Sequence, residues 1–204
     1  MAQVRLAARQ KKARELNATL AFTDESGFLL MPLLRRTLAR CGHTPVLRHK
    51  ASHRDKVSVA AALTLSPARG HVSLYYQTYP DAYVDVAAYA GFLHALLRQV
   101  RNPLVLVHDR GNMHRGAPMR TLGGRFARRL HVNLLPPYAP ELNPVEYLWT
   151  HAKCEELANF APPDVPRLDQ AVVACMEDVR RDQHRLRSFF TESPLPWNGL
   201  TVFF

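Results

Sequence analysis

Leu135-Pro136-Pro137-Tyr138-Ala139-Pro140-Glu141-Leu142-Asn143-Pro144-Val145-Glu146-Tyr147-Leu148-Trp149 carries an apolar run into a stiff loop and out again into a helix. Each proline ring fixes φ, so the part holding Pro136, Pro137 and Pro140 is extended or turned rather than helical. Asn143 suits an N-cap, Pro144 the first helical position, and Glu146 falls at the third. The spacing predicts a glutamate on the first turn of a helix, delivered by a rigid loop. Two readings of Glu146 stay open on this stretch alone. One is a capping box, in which Asn143 and Glu146 satisfy each other's backbone donors; the other is a functional carboxylate.

Two further stretches weigh on that choice. Leu104-Val105-Leu106-Val107-His108-Asp109 and Leu20-Ala21-Phe22-Thr23-Asp24-Glu25-Ser26 both read as buried strands, and each delivers an aspartate at its C-terminal end. Two strand-end aspartates followed by a helix-opening glutamate form a set.

The rest of the chain bounds the setting. With 204 residues and 47% hydrophobic content, it is long enough to bury one substantial core. A formal net charge of +10 points to a polyanionic partner, nucleic acid first. Cys41, Cys154 and Cys175 are far apart and odd in number, which argues against a zinc ribbon or a disulfide framework and suits a reducing cytosol. No run reads as a signal peptide or a bilayer span.

Residues 3–17 predict a basic helix, either a lead-in from a DNA-binding unit or a solvated terminus. Strands are expected at 19–24 and 28–31, joined as a hairpin through Ser26-Gly27. Arg35, Arg36, Arg48, Lys50, Arg54 and Lys56 make the next segment basic, as a phosphate contact or as a solvated loop. Strands follow at 57–65 and 72–79, a helix at 85–98, a parallel strand at 103–108, a helix over 117–130 and a strand at 132–135. Tyr75, Tyr76 and Tyr79 are expected to pack in the sheet. His114-Arg115 follow the second aspartate, and Arg125, Arg128 and Arg129 are expected to share a helix face turned toward DNA. After Pro162-Pro163 and Pro166, one helix is expected over 168–190, then an apolar tail. The implied division is a basic helix or linker over 1–18, a catalytic domain over 19–160, and a C-terminal helix and tail over 161–204. Antiparallel strands followed by alternating helix and parallel strand suggest an α/β domain with a mixed sheet.

Asp24-Glu25-Ser26-Gly27-Phe28, Val107-His108-Asp109 with His114-Arg115, and the run from Leu135 to Trp149 together resemble the catalytic domain of DDE transposases, within the Tc1/mariner-like IS630 group. The resemblance covers roughly residues 11–160 and includes Arg35-Arg36-Thr37 and Gly42-His43-Thr44-Pro45-Val46-Leu47. It implies a ribonuclease H-like fold with a central mixed five-stranded sheet flanked by helices. The family's catalytic triad carries over onto Asp24, Asp109 and Glu146.

Three converging carboxylates repel one another, and a divalent cation resolves the repulsion. Magnesium prefers oxygen ligands and commonly takes one or two carboxylates together with substrate phosphate. The expectation is two Mg2+ ions, with Mn2+ able to substitute, held for in-line displacement at a phosphodiester. The activity expected by resemblance is cleavage at transposon ends and strand transfer into target DNA at a TA dinucleotide. Its expected partners are double-stranded DNA, a second copy in a synaptic homodimer and, because only 18 residues precede the first strand, a separately encoded helix-turn-helix protein or a region missing by truncation. The expected location is the bacterial cytoplasm, at the nucleoid, without a membrane. Leu38 stands where relatives often have tryptophan, and Gly123-Gly124 also departs from the pattern. The rival readings are a non-catalytic accessory or repressor protein derived from a transposase, and a metal-dependent nuclease that cuts without joining. Glu25 and His114 are second-tier candidates, and Trp149 is expected to anchor its helix in the core.

Overall fold

The computed structural model describes residues 16–48, 55–67, 70–111, 114 and 116–195. The predicted helix over 3–17 and the apolar tail lie largely outside these residues, as do Lys50, Arg54 and Arg115. Five strands form one mixed sheet: β1 (Thr19–Leu29), β2 (Lys56–Leu65), β3 (Val72–Pro80), β4 (Leu104–His108) and β5 (Leu130–Leu134). Their order is β3-β2-β1-β4-β5. The β1–β2 and β2–β3 pairs are antiparallel, and β1–β4 and β4–β5 are parallel. A five-stranded mixed sheet in this order, flanked by helices, is the ribonuclease H-like fold.

The expected hairpin at Ser26-Gly27 is absent, and β1 runs unbroken from Thr19 to Leu29. Gly27 pairs with Ser58 and Phe28 with Val57, so ladder hydrogen bonds to β2 hold extended the residues whose local chemistry favours a turn. Phe28 is buried and Gly27 exposed, which continues the period-two alternation.

Period two also divides the core. On one face Leu20, Phe22 and Phe28 of β1, the odd-numbered residues Val57 to Leu65 of β2, and Val105 and Val107 of β4 pack against three helices. These are α3 (Pro144–His151), α4 (Val165–Arg181) and α5 (Gln183–Glu192). On the other face Ala21, Ala60, Ala62, Leu104 and Leu106 meet α1 (Val86–Gln99) and α2 (Ala117–Arg125). Covered on both sides, β2 is buried from Val57 to Leu65, which explains its near-continuous apolar sequence.

The helix expected over 117–130 ends at Arg125, five residues short, because Leu130 already pairs with Leu104. Gly123 and Gly124 lie inside it rather than ending it. The single helix expected over 168–190 is two. Asp182 adopts extended backbone and its side chain accepts from the Arg185 amide, so it ends α4 and caps α5. On α5, Phe190 meets Phe22 edge to face with ring centroids 5.9 Å apart. Phe190→Ala is expected to cost about 3–5 kcal/mol in urea denaturation. A loss below about 1 kcal/mol would contradict the placement of α5 in the core.

Candidate active site

Strand register brings the two aspartates together. Phe22 of β1 pairs with Val107 of the parallel β4, and both side chains enter the core layer beneath α3. Two residues on, Asp24 and Asp109 stand level at the C-terminal ends of adjacent strands, on that same side of the sheet.

The third carboxylate comes from α3, and its placement follows from the N-cap. Asn143 is buried, accepts from the Val145 amide at 3.2 Å and donates through Nδ2 to the Thr23 carbonyl at 3.3 Å. One asparagine thus starts the helix and pins it to β1 beside Asp24. The reciprocal half of a capping box is not made, because the Asn143 amide goes to the Pro140 carbonyl at 2.8 Å. Glu146 is left to face Asp24.

Trp149 and Lys153 follow Glu146 on the same helical face, one and two turns later. Trp149 does more than anchor the helix: its Nε1–H donates to Asp24 Oδ2 at 3.0 Å while its ring lies edge-on to Phe28. Lys153, in a single π-helical turn over Ala152–Glu156, donates to Ser26 Oγ at 2.7 Å. Sequence reasoning missed both roles, although their spacing from Glu146 was visible. Spacing assigns a face; it does not say what the face meets.

Burial, then the neighbouring Glu146 charge, pushes the Asp24 carboxyl up to about 7 despite the Trp149 hydrogen bond that opposes the rise. Burial also raises Glu146, while the Lys153 charge and a hydrogen bond from Asp24 work the other way. Both carboxyls are thus disfavoured as anions in the absence of a cation. Trp149→Phe keeps the aromatic packing and removes the N–H. It should raise the Asp24 pKa further, by on the order of one unit, in a carboxyl-detected NMR titration. An unmoved pKa would show that the indole does not act on Asp24.

Behind this surface, on the α1 side, lies a second polar layer. Glu25 points away from Asp24, as strand alternation requires, and burial followed by the Asp24 and Asp109 charges pushes its carboxyl up to about 8. His114, expected as either a phosphate contact or a satisfied structural histidine, is buried, and its Nε2 lies 2.7 Å from Asp109 Oδ1. His108 spends Nδ1 on the Asp109 carbonyl at 2.7 Å, and burial pushes its imidazole down to about 4. Tyr89 closes the layer through a 2.7 Å hydrogen bond to Thr23 Oγ1.

The cleft in front encloses about 350 Å³ between Asp24, Asp109, Glu146 and the loop from Leu135 to Pro140. At its rim Tyr138 is fully exposed with φ 55°, a left-handed backbone. An oxygen-only donor set of mutually repelling carboxylates fits Mg2+ or Mn2+. His108, Asp109 and His114 also bring ligand atoms within 4.8 Å of one another. One of those nitrogens already serves Asp109, and imidazole suits Mg2+ poorly.

The basic residues singled out from the sequence are scattered around this centre. Arg35, Arg36 and Arg48 are exposed on the connection between β1 and β2, and Arg125 and Arg128 are exposed around the end of α2. Lys56 lies over the Tyr83 ring. Arg129 does not share the solvent face of Arg125 and Arg128, because its guanidinium donates to the Leu97 and Val100 carbonyls at the end of α1. No helix among the described residues is long and apolar enough to cross a membrane.

Among solved structures, the Mos1 strand transfer complex superposes with a TM-score of 0.65 at 17% identity, over 95% of this chain and 56% of that one. Mos1 mariner paired-end complexes with Mn and with Mg give 0.62 and 0.61 at 16% identity, over 94% of this chain and 56% and 58% of theirs. The chain therefore spans little more than half the length of these relatives. At such identity the likeness is one of fold. No curated protein matches in sequence. A family model described as DDE superfamily endonuclease matches residues 19–169, which takes in all three carboxylates, and the chain belongs to that family.

Proposed function

We propose that this chain is the catalytic domain of a DNA transposase of the Tc1/mariner-like IS630 group, cutting DNA at transposon ends and joining the freed ends to target DNA. The observation that carries the proposal is the β1–β4 register, which sets Asp24 level with Asp109 beneath a helix opening on Glu146. Membership in the DDE superfamily endonuclease family supports it. So do the superposable Mos1 structures, which include a strand transfer complex and paired-end complexes with Mn and with Mg.

Asp24, Asp109 and Glu146 would hold two Mg2+ ions, with Mn2+ able to replace them. When bound, such ions supply Lewis acidity to the attacking and leaving oxygens of a phosphodiester. The protein's own groups do the rest. Trp149 holds one oxygen of Asp24 in place through its Nε1–H. Lys153 sets a positive charge near Glu146 and Asp24. The Leu135–Pro140 loop walls the cleft with little conformational freedom to lose. Arg35, Arg36, Arg48, Lys56, Arg125 and Arg128, with Lys50, Arg54 and Arg115, would neutralise phosphates of double-stranded DNA, giving a salt-dependent affinity. A synaptic homodimer, a separately encoded helix-turn-helix reader of the ends, a TA target and action at the bacterial nucleoid belong to the same reading.

The test is incubation with labelled DNA bearing the element's own ends and a target duplex, with and without Mg2+. Metal-dependent cut ends joined to target support the transposase. Cutting without joining supports the nuclease. DNA binding without either, in the presence of any neighbouring helix-turn-helix protein, supports the accessory factor.

A further inference from the structure

We infer that His114 and Gly111 pre-set Asp109 as a one-oxygen ligand, holding Oδ1 from behind and leaving Oδ2 to face the cleft. Oδ1 accepts two hydrogen bonds, from the Gly111 amide at 2.9 Å and from His114 Nε2 at 2.7 Å. A carboxylate oxygen so engaged has little lone-pair capacity left for a cation. Asp109 lines the cleft, so Oδ2 is the oxygen offered to it.

The arrangement is built rather than incidental. The His114 side chain is only 2% exposed, and its ring packs at a tilt against those of His108 and Tyr89 with centroids 4.2 and 4.5 Å away. Since a carboxylate only accepts, His114 Nε2 carries the hydrogen. Glu25 Oε2 is 3.9 Å from the same nitrogen, too far for a hydrogen bond, so it does not compete with Asp109 for the donor. The His114 amide also donates to the Gly111 carbonyl at 3.2 Å, closing a turn around the aspartate. A Cβ on residue 111 would stand 3.1 Å from Asp109 Oδ1 and 3.4 Å from His114 Cδ2, so a larger residue there would press on the oxygen that His114 holds. His114 is thus a positioning residue. It fixes the orientation of a metal-holding carboxylate, as the partners behind metal ligands commonly do.

The inference rests on the proposed metal site, and its test separates the two. Mn2+ binding to the metal-free protein is followed by the loss of the free-ion EPR signal, in variants whose melting temperature is checked first. His114→Phe keeps the ring against Tyr89 and removes the donor. It should weaken Mn2+ binding on the order of tenfold, while His114→Gln, which restores an N–H near the same point, should recover most of the loss. Wild-type affinity in His114→Phe, or a His114→Gln variant no better than His114→Phe, overturns the inference. Unchanged Mn2+ affinity in Asp109→Ala overturns the metal site itself. Should His114→Phe fail to fold, a crystal of the wild-type protein with Mn2+ decides the matter. Asp109 bound through Oδ2 alone supports the inference, and Asp109 bound through both oxygens overturns it.

Discussion

Replacing Asp24, Asp109 or Glu146 singly with alanine is expected to reduce metal-dependent DNA cleavage by on the order of 10³-fold or more. Each substitution removes a charge proposed to hold the cation, and such a cation contributes several kcal/mol of stabilisation where charge develops. The same substitutions should not unfold the protein. Asp24 and Glu146 are held in place at a cost, since burial disfavours the charged form of each and the Glu146 charge disfavours that of Asp24 further. Asp24→Asn and Glu146→Gln are therefore expected to melt at or above the wild-type temperature without metal while losing cleavage. Opposite signs for activity and stability mark residues kept for function. Calorimetry alongside a nicking assay checks both. A variant that loses cleavage by unfolding, or that cleaves normally, would remove that residue from the triad.

The metal-free protein should lose stability as pH rises from 6.5 to 8, and Mg2+ should restore it. In the folded state Asp24 and Glu25 titrate near 7 and 8, far above their ordinary values, mainly because they are buried. The folded state therefore binds more protons than the unfolded state between about pH 4 and 8, and stability falls as pH climbs through that window. Below about 6.5 the opposite trend intrudes: His108, pushed down to about 4, stays neutral in the fold while the unfolded chain takes up a proton. Above 6.5 the two carboxyls act almost alone, for a loss on the order of 2 kcal/mol. Glu25→Gln should flatten much of this slope. Denaturant unfolding at four or five pH values measures it, and stability that is flat or rising over this interval would contradict the buried-acid layer.

What could be read from the sequence was chemistry that is local. The Asn143 cap, Pro144 at the first helical position and Glu146 two residues on are set by neighbours in the chain, and they stand as expected. Two apolar runs ending in aspartate announced buried strands for a similar reason, since an unbroken apolar run suits a strand covered on both faces. What failed was local chemistry overruled by distant pairing. Ser26-Gly27 has the composition of a turn, yet its ladder to Ser58 and Val59 keeps it extended. Asp182 looked like one polar residue in a long helix, and only its extended backbone shows it to be a cap. The residues around the triad were hidden in another way. The bond from Trp149 to Asp24 and the bond from Lys153 to Ser26 each join residues more than a hundred positions apart. His114 was visible as a candidate beside Asp109, yet which atom it holds depends on the turn at Gly111 and the ring of Tyr89. Arg129 read as a surface charge until the end of α1 claimed it.

The most direct measurement is anomalous scattering from a crystal of the protein grown with Mn2+ and a short DNA duplex. Manganese density bounded by Asp24, Asp109 and Glu146, and lost in Asp109→Ala, is the predicted result. Manganese held instead by His108 and His114, or absent while DNA is bound, would contradict the claim that these three carboxylates form a metal-dependent catalytic centre.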